Sequence, residues 1–191
     1  ALLKAVDFPI VAPSANRSGH VSPTTAQHVV DDLEGRTDLI LDGGPSKGGI
    51  ESVIVDFSGK TPRLLRSGGI ARVEIEKITG PLATSSKSEV SAPGMMASHY
   101  APKARLRLDA SDVRVDEAYL AFGEAPAIAQ HAMKVLNLSA SHDLTEAASN
   151  LYAHLRELDA SGAKTIAVAP IPGEGLGEAI RDRLARAGAP K

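Results

Sequence analysis

The feature that most constrains the fold is the ordered alternation of strand and helix patterns between residues 104 and 191. The run "KTIAVAP" is almost wholly apolar, as in a strand buried on both faces of a parallel sheet, and it stands between two helical patterns. The strand patterns "ARLRL", "AYLAFG" and "MKVLNL" precede the first helix, with a short helical or irregular connection at residues 125–132. Apolar residues at helical spacing are Leu144, Ala147, Ala148, Leu151, Leu155 and Leu158 in the first helix, which Gly162 ends, and Leu176, Ile180 and Leu184 in the second. This order predicts a small, doubly wound, Rossmann-like α/β domain.

Residues 1–80 alternate short apolar runs with turns and predict a second α/β unit. Strands are predicted at residues 9–11 and 38–44, and an amphipathic helix at residues 24–33. The runs "SVIVDFSG" and "RLLRSGG" predict a hairpin. Residues 81–103 lose this periodicity and are rich in Ser, Ala, Gly and Pro, which is typical of a linker between the two units.

The composition argues against several classes of function. The chain has 191 residues, a formal net charge of -2 and no cysteine. The positive and negative charges nearly balance, so the chain shows no sign of the basic surface that is typical of a nucleic-acid-binding protein. Without cysteine there is neither a disulfide nor a thiolate metal site. No apolar run approaches the length of a membrane span. We therefore expect a cytoplasmic protein without membrane contacts.

The stretch "APSANRSGHVSPTTAQHVV" places small polar residues between a predicted strand and a predicted helix. Ser14 and Asn16 follow the strand, at the edge where open α/β sheets bind ligands, and both can donate hydrogen bonds to phosphate or carboxylate oxygens. Arg17 and His20 add positive or switchable charge. The alternative is that the stretch is only a turn followed by a helix N-cap. The residues alone leave both interpretations open.

Two further segments carry candidate ligand-binding residues. In "LDGGPSKGGIESVIVD", glycines surround Lys47, and glycine-rich backbone can approach anionic oxygens closely. A flexible hairpin loop is an equally good interpretation of that segment. Ser52 lies at the start of a predicted strand, where its hydroxyl could face a ligand. Arg66 in "PRLLRSGG" lies at a strand end, where a guanidinium suits a phosphate or carboxylate.

The segment "PIPGEGLGEAIRDRL" only partly resembles a phosphate-binding loop. Its glycines precede a helix, but the spacing is incomplete, and Glu174 and Glu178 would repel an anion. We therefore favour a structural role for Gly173, Gly175 and Gly177. The histidines are scattered along the chain, with no HxxxH pair and no clustered carboxylates, so no metal site built by the protein is expected.

Taken together, these motifs resemble one protein family in order along the chain. "PIVAPSANRSGHVSPTTAQHV", "LDGGPSKGGIESVIVD" and "RLLRSGGI" resemble the second half of a YrdC-like domain. "SAPGMMASHYAPKARL" resembles the linker of the Sua5 proteins, and residues 150–187 resemble their small C-terminal domain. The resemblance implies an α/β fold with a partial YrdC-like domain built on a twisted mixed sheet (residues 1–80). A linker (81–103) and the small doubly wound Sua5 domain (104–191) follow it.

The resemblance also implies an activity, a nucleotidyltransferase reaction. L-threonine, bicarbonate and ATP would give L-threonylcarbamoyladenylate and pyrophosphate, with Mg²⁺ arriving on ATP. The product would feed the t6A37 modification of tRNA through downstream threonylcarbamoyl-transfer proteins, so that tRNA is only an indirect partner. The implied L-threonine contacts are Ser14 and Ser52, and the implied ATP contacts are Asn16, Thr24 (or Ser22 beside it), Arg66 and Tyr100, with His99 next to Tyr100 over the pocket.

Some features of the sequence depart from the family pattern. Ser67 stands where the family tends to have proline, and Val53 where threonine is usual. The basic nucleotide-binding motif of the first half of the YrdC-like domain has no counterpart, so we expect the chain alone to be an incomplete enzyme. Two other functions stay open: a non-catalytic module that binds nucleotide or double-stranded RNA, and a C-terminal domain that acts only in interaction or regulation.

Overall fold

The computed structural model describes residues 2–84, 94 and 99–190, and its strands form two sheets. The N-terminal part contains the helices α1 (Leu2–Ala5), α2 (Ala26–Leu33) and α3 (Arg72–Thr79), and the strands β1 (Ile54–Asp56), β2 (Arg63–Arg66) and β3 (Ala83–Thr84). The C-terminal part contains the strands β4 (Arg105–Arg107), β5 (Glu117–Ala121), β6 (Lys134–Asn137) and β7 (Thr165–Val168), a 3-10 helix (Ala127–His131), and the helices α4 (Leu144–Asp159) and α5 (Gly177–Ala187). The α/β class predicted from the sequence is confirmed.

The first sheet has the strand order β1-β2-β3. β1 and β2 pair antiparallel and confirm the predicted hairpin. Its turn is held by the Asp56 carboxylate, which accepts hydrogen bonds from the Ser58 amide at 2.8 Å and from Arg63 Nη2 at 2.7 Å. β3 pairs parallel with β2, so the first residues of the predicted linker belong to the sheet.

Two predicted strands are wrong. Residues 9–11 and 38–44 are irregular in the structure. Val11 is 94% exposed and Leu39 is 76% exposed, and neither run pairs with a strand among the described residues. An apolar run forms a strand only where a neighbour supplies hydrogen-bond partners, and Asp42 instead closes a local turn onto the Gly44 amide.

The second sheet is parallel, with the order β4-β7-β5-β6. All five residues of β5 are buried, as expected for an inner strand covered on both faces. α4 connects β6 to β7 and packs against β5, β6 and α5. Its N-cap is Asp143, whose carboxylate accepts the Thr145 amide at 2.7 Å. The predicted strands and helices of this part are all present.

Side chains of α4 and α5 join the two parts of the molecule. Arg156 of α4 forms an ion pair with Asp32 of α2 and also donates to the Val21 carbonyl. Arg72 of α3 pairs with Glu178 of α5 at 2.7 Å. α2 and α3 therefore lie against the C-terminal helices. In the part of the chain that the structure describes, no helix is long and apolar enough to cross a membrane.

Candidate functional site

Ser52 and Arg66 are brought together at the ends of paired strands. Arg66 lies at the end of β2, and its guanidinium donates to the Ser52 carbonyl from Nε at 3.1 Å and from Nη2 at 2.9 Å. Nη2 is also 3.4 Å from the Ser52 hydroxyl. Gly68 lets the segment after β2 lie against the backbone before β1, because a Cβ at Gly68 would come 2.5 Å from the Glu51 carbonyl oxygen. The hydroxyl and the guanidinium thus form one polar surface.

Tyr100 joins this surface from a distant part of the chain. It is 1% exposed and has a φ of 61°, in the left-handed region. Its hydroxyl and Nη1 of Arg66 both lie beside Gly94, where an added Cβ would meet both side chains. The Tyr100 ring stacks on Tyr152 with 5.5 Å between centroids. The structure therefore brings Ser52, Arg66 and Tyr100 into one cluster.

Ser14 lies on an adjoining cavity of about 240 Å³. Ser22, Ser46 and Glu51 also line this cavity. Ser14 itself is exposed, whereas Ser22 is buried and donates to Glu51 at 2.6 Å. Since Glu51 directly precedes Ser52, the cavity and the cluster are neighbours.

Asn16 and Thr24 make local contacts instead. Nδ2 of Asn16 donates to the carbonyls of Arg17 and His20 at 3.1 Å, and its Oδ1 is buried without a hydrogen-bond partner among the described residues. Thr24 is buried, with its hydroxyl 3.3 Å from Nδ1 of His28. Burial, with the nearby charge of Arg156 adding to it, lowers the pKa of His28. The predicted contacts of Asn16 and Thr24 with ATP stay predictions.

Glu51 is the functional candidate that the sequence analysis missed. Its carboxylate accepts hydrogen bonds from the hydroxyl of Ser22, from the hydroxyl of Tyr152 at 2.8 Å and from Nε of Arg183 at 2.8 Å. Burial acts to raise the pKa of Glu51, but the Arg183 charge and the Ser22 hydrogen bond outweigh it and hold the pKa below its ordinary value. The available signal was its place directly before Ser52 in a candidate motif.

Arg183 was missed as well, although the sequence marks it. It is 0% exposed and lies on the apolar stripe of α5, between Ile180 and Leu184. A charge at such a position is uncommon unless it is paired. Two of its partners, Glu51 and Ser67, come from the N-terminal part of the molecule, so only the assembled structure identifies them.

The glycine-rich segments act in packing at two positions. Gly49 has a φ of 68° and lies against α4, where a Cβ would collide with the Ala148 carbonyl. Gly177 opens α5 so close to the Pro172 carbonyl that a Cβ would not fit. This contact confirms the structural role expected for Gly177. Gly44, in contrast, has open space around its Cβ position.

The chemistry of the cluster is that of an anion-binding surface. Ser52 and Tyr100 carry hydroxyl groups, and Arg66 carries a planar fork of donors. Such groups bind phosphate and carboxylate oxygens and stabilise charge that develops on them. Among residues 2–84, 94 and 99–190, no group of three or more His, Asp or Glu side chains is arranged to hold a metal ion.

Comparison with known families covers almost the whole chain. Residues 70–189 match the family profile described as threonylcarbamoyl-AMP synthase, C-terminal domain. Residues 1–68 match the Sua5–YciO–YrdC profile, described as telomere recombination.

Three curated relatives carry the name threonylcarbamoyl-AMP synthase. The protein of Bacillus subtilis (strain 168) is 35% identical over 204 aligned positions, which cover 98% of this chain and 59% of the relative. The protein of Pyrococcus abyssi (strain GE5 / Orsay) is also 35% identical, with 97% and 59% covered. The protein of Schizosaccharomyces pombe (strain 972 / ATCC 24843) is 34% identical, with 98% and 54% covered. The chain thus spans less than two thirds of the length of these relatives.

Two solved structures share the fold. One is P. abyssi Sua5 complexed with L-threonine, with a TM-score of 0.79, 32% identity, and 93% of this chain and 57% of that chain covered. The other is a variant of the same protein with an adjacent histidine and tyrosine replaced by alanine. Its TM-score is 0.78 at 30% identity, with 92% and 56% covered.

Proposed function

This chain belongs to the Sua5/YrdC family, and from that premise we propose that its function is the synthesis of L-threonylcarbamoyladenylate. The substrates are L-threonine, bicarbonate and ATP, and pyrophosphate is released. The reaction is a nucleotidyl transfer that supplies the t6A37 modification of tRNA in the cytoplasm. Downstream threonylcarbamoyl-transfer proteins use the product, and tRNA is not a direct partner.

The observation that carries this proposal is the convergence of Ser52, Arg66 and Tyr100 from three separate segments. A structure of P. abyssi Sua5 with L-threonine supports an amino acid as one ligand. We assign Ser14 and Ser52 to L-threonine. We assign ATP to Asn16, Thr24, Arg66 and Tyr100.

The chemistry proceeds in two bond-forming steps. The threonine amino group adds to the carbon of bicarbonate and water leaves, which gives a carbamate. A carbamate oxygen then bonds to the α-phosphorus of ATP, and the bond from that phosphorus to the bridging oxygen breaks, so that pyrophosphate leaves with the electron pair. Such a transfer depends on positioning and on stabilisation of charge rather than on a nucleophile of the protein.

The side chains of the cluster suit these demands. The Arg66 guanidinium binds the phosphate oxygens and stabilises their charge as pyrophosphate departs. The Tyr100 hydroxyl and ring cover the adenylate side and exclude water from a mixed anhydride that hydrolyses readily. Mg²⁺ carried by ATP would neutralise part of the phosphate charge.

The test measures substrate binding and product formation with matched variants. Calorimetry on the chain gives the dissociation constants for L-threonine and ATP. Product formation is measured with the chain joined to the first half of the YrdC-like domain of a relative, because the chain alone is expected to be an incomplete enzyme. Radiolabelled bicarbonate is followed into the adenylate as pyrophosphate is released. Ser52→Ala is expected to weaken L-threonine binding roughly tenfold, and Arg66→Met to weaken ATP binding by at least as much. The controls are Ser58→Ala in the hairpin turn and Arg181→Met on α5, which retain wild-type binding.

Two results would contradict the proposal. One is a wild-type chain that binds neither L-threonine nor ATP. The other is pyrophosphate release that continues without L-threonine or bicarbonate, because that release would be ATP hydrolysis rather than adenylate synthesis.

A further inference from the structure

Arg183 is a buried cation that the proposed reaction does not use directly. Its Nε donates to Glu51 at 2.8 Å and its Nη2 to the Ser67 carbonyl at 2.9 Å. Its Nη1 pairs with Asp182 at 2.6 Å. Its guanidinium carbon lies 5.3 Å from the centre of the Tyr100 ring, which is within range of a cation–π contact. One guanidinium from α5 therefore touches three separate segments of the chain.

These three segments are the ones that carry the proposed site. Glu51 directly precedes Ser52, Ser67 directly follows Arg66, and Tyr100 is itself a member of the cluster. The guanidinium therefore contacts either a site residue or its immediate neighbour in every case. The fully buried fork fixes the relative positions of these three segments, because an arginine side chain presents its donors in a rigid plane.

Packing alone does not account for a charge at this position. A buried ion pair is costly to desolvate, and an apolar side chain of similar volume is often as stable. Ile180 and Leu184, its neighbours on α5, are both buried and apolar. The arginine differs from them in holding polar partners at fixed positions.

We propose that Arg183 is a positioning residue, through which the C-terminal domain holds Tyr100, Ser52 and Arg66 in the arrangement that binds substrate. This inference rests on the proposed function for the identity of the substrates. It adds a residue from α5 to the determinants of the site.

The first measurement separates positioning from general stabilisation. The dissociation constant for L-threonine is measured on the full chain at a temperature well below its unfolding transition. A residue that only stabilises the fold lowers the urea midpoint and leaves binding to the folded protein unchanged. Arg183→Met is expected to weaken binding roughly tenfold or more, and Arg183→Lys, which keeps the charge beside Glu51, to restore part of the loss. Arg181→Met, the control on the same helix, retains wild-type binding.

The second measurement needs no substrate. The chain contains three tyrosines and no tryptophan, and the three tyrosines, Tyr100, Tyr119 and Tyr152, are buried. Nitration with tetranitromethane, followed by peptide mapping, measures the access of reagent to each ring. Arg183→Met is expected to raise nitration of Tyr100 roughly tenfold relative to Tyr119, which lies in β5 and reports unfolding of the second sheet.

The outcomes are distinct for each proposal. A rise confined to Tyr100 and Tyr152, with weaker threonine binding, supports the positioning role. Unchanged nitration and unchanged binding in Arg183→Met overturn it. The proposal is also overturned if nitration rises in parallel at all three tyrosines and does so equally in Arg183→Met, Arg183→Lys and Glu51→Gln. If the wild-type chain binds no L-threonine, the proposed function fails, and the nitration pattern still decides whether Arg183 holds Tyr100.

Discussion

Gly49 lies against the Ala148 carbonyl of α4, so close that no side chain fits between them. The glycine has a φ of 68°, which an L-residue with a Cβ adopts only with strain. This contact seats the segment before β1 on the C-terminal domain. The interface between the two parts of the molecule therefore requires glycine at position 49.

The first prediction is that Gly49→Ala separates this segment from α4. The added Cβ collides with backbone atoms, which cannot rotate away, so we expect a loss of roughly 3 kcal/mol or more in the free energy of unfolding. Gly44→Ala is the matched control. It has a φ of 82° and open space around it, so only backbone strain of about 1 kcal/mol applies. Urea denaturation of both variants measures the difference, and equal losses would contradict the packing argument.

The second prediction concerns the pH dependence of stability through Glu51. The folded-state pKa of this carboxyl lies below its ordinary value. Its stabilising contribution is therefore complete above the unfolded pKa, about 4.3, and is lost as the pH falls through the folded pKa. We expect the urea midpoints of wild type and Glu51→Gln to differ most at neutral pH and to converge in acid.

The control for this pH effect is Glu124→Gln. Glu124 is exposed, so its replacement is expected to change the urea midpoint little at either pH. A gap between wild type and Glu51→Gln that widens in acid would contradict the prediction.

The third prediction contrasts a buried leucine with an exposed one. Leu155 is fully buried in the core between α4 and the second sheet, and Leu155→Ala is expected to cost about 2–5 kcal/mol through lost contacts and a cavity. Leu39 lies in a run that the sequence predicted as a strand, but it is largely exposed. Leu39→Ala is expected to stay within about 0.5 kcal/mol of wild type. Chemical denaturation gives both values, and a large loss at Leu39 would indicate that its run is packed in solution.

The C-terminal domain was predictable because its signals are local. The helix from Leu144 to Asp159 contains leucines and alanines at helical spacing, and β7 is an almost wholly apolar run between two such helices. Each pattern needs only its own residues to be recognised. Residues 38–44 show the opposite case, because an apolar run becomes a strand only when another strand lies beside it, and that partner is not encoded within the run.

Part of the candidate site was named from the sequence. Ser52 and Arg66 were named from their motifs and Tyr100 from the family resemblance, and the structure brings these three together. Asn16 and Thr24 were named as well, but they make local contacts. Glu51 and Arg183 could not be paired, because more than a hundred residues separate them. The position of Arg183 on the apolar stripe of α5 indicates that it needs a partner but does not say which one. The link between them exists only after α5 has packed onto the N-terminal part of the chain.

The last prediction concerns Asp159, which anchors the segment that follows Tyr100. Its carboxylate accepts the amides of Lys103 at 3.0 Å and Ala104 at 2.8 Å. A negative charge at the end of α4 opposes the helix dipole, so these two hydrogen bonds explain its presence there. Asp159→Ala leaves both amides without this acceptor and is expected to cost about 1–3 kcal/mol. Because the freed segment begins only three residues after Tyr100, nitration of Tyr100 is expected to rise severalfold relative to Tyr119.

Asp143→Ala, at the other end of α4, is the matched control for this effect. It removes the N-cap and is expected to cost about 1 kcal/mol, because the Thr145 amide loses its acceptor. Loss of the N-cap destabilises the same helix but leaves the hydrogen bonds of the segment after Tyr100 in place. The nitration of Tyr100 relative to Tyr119 should therefore stay at the wild-type value. If both variants raised that ratio equally, access to Tyr100 would depend on the stability of α4 as a whole. The pair of amide contacts at Asp159 would then have no specific part in holding Tyr100.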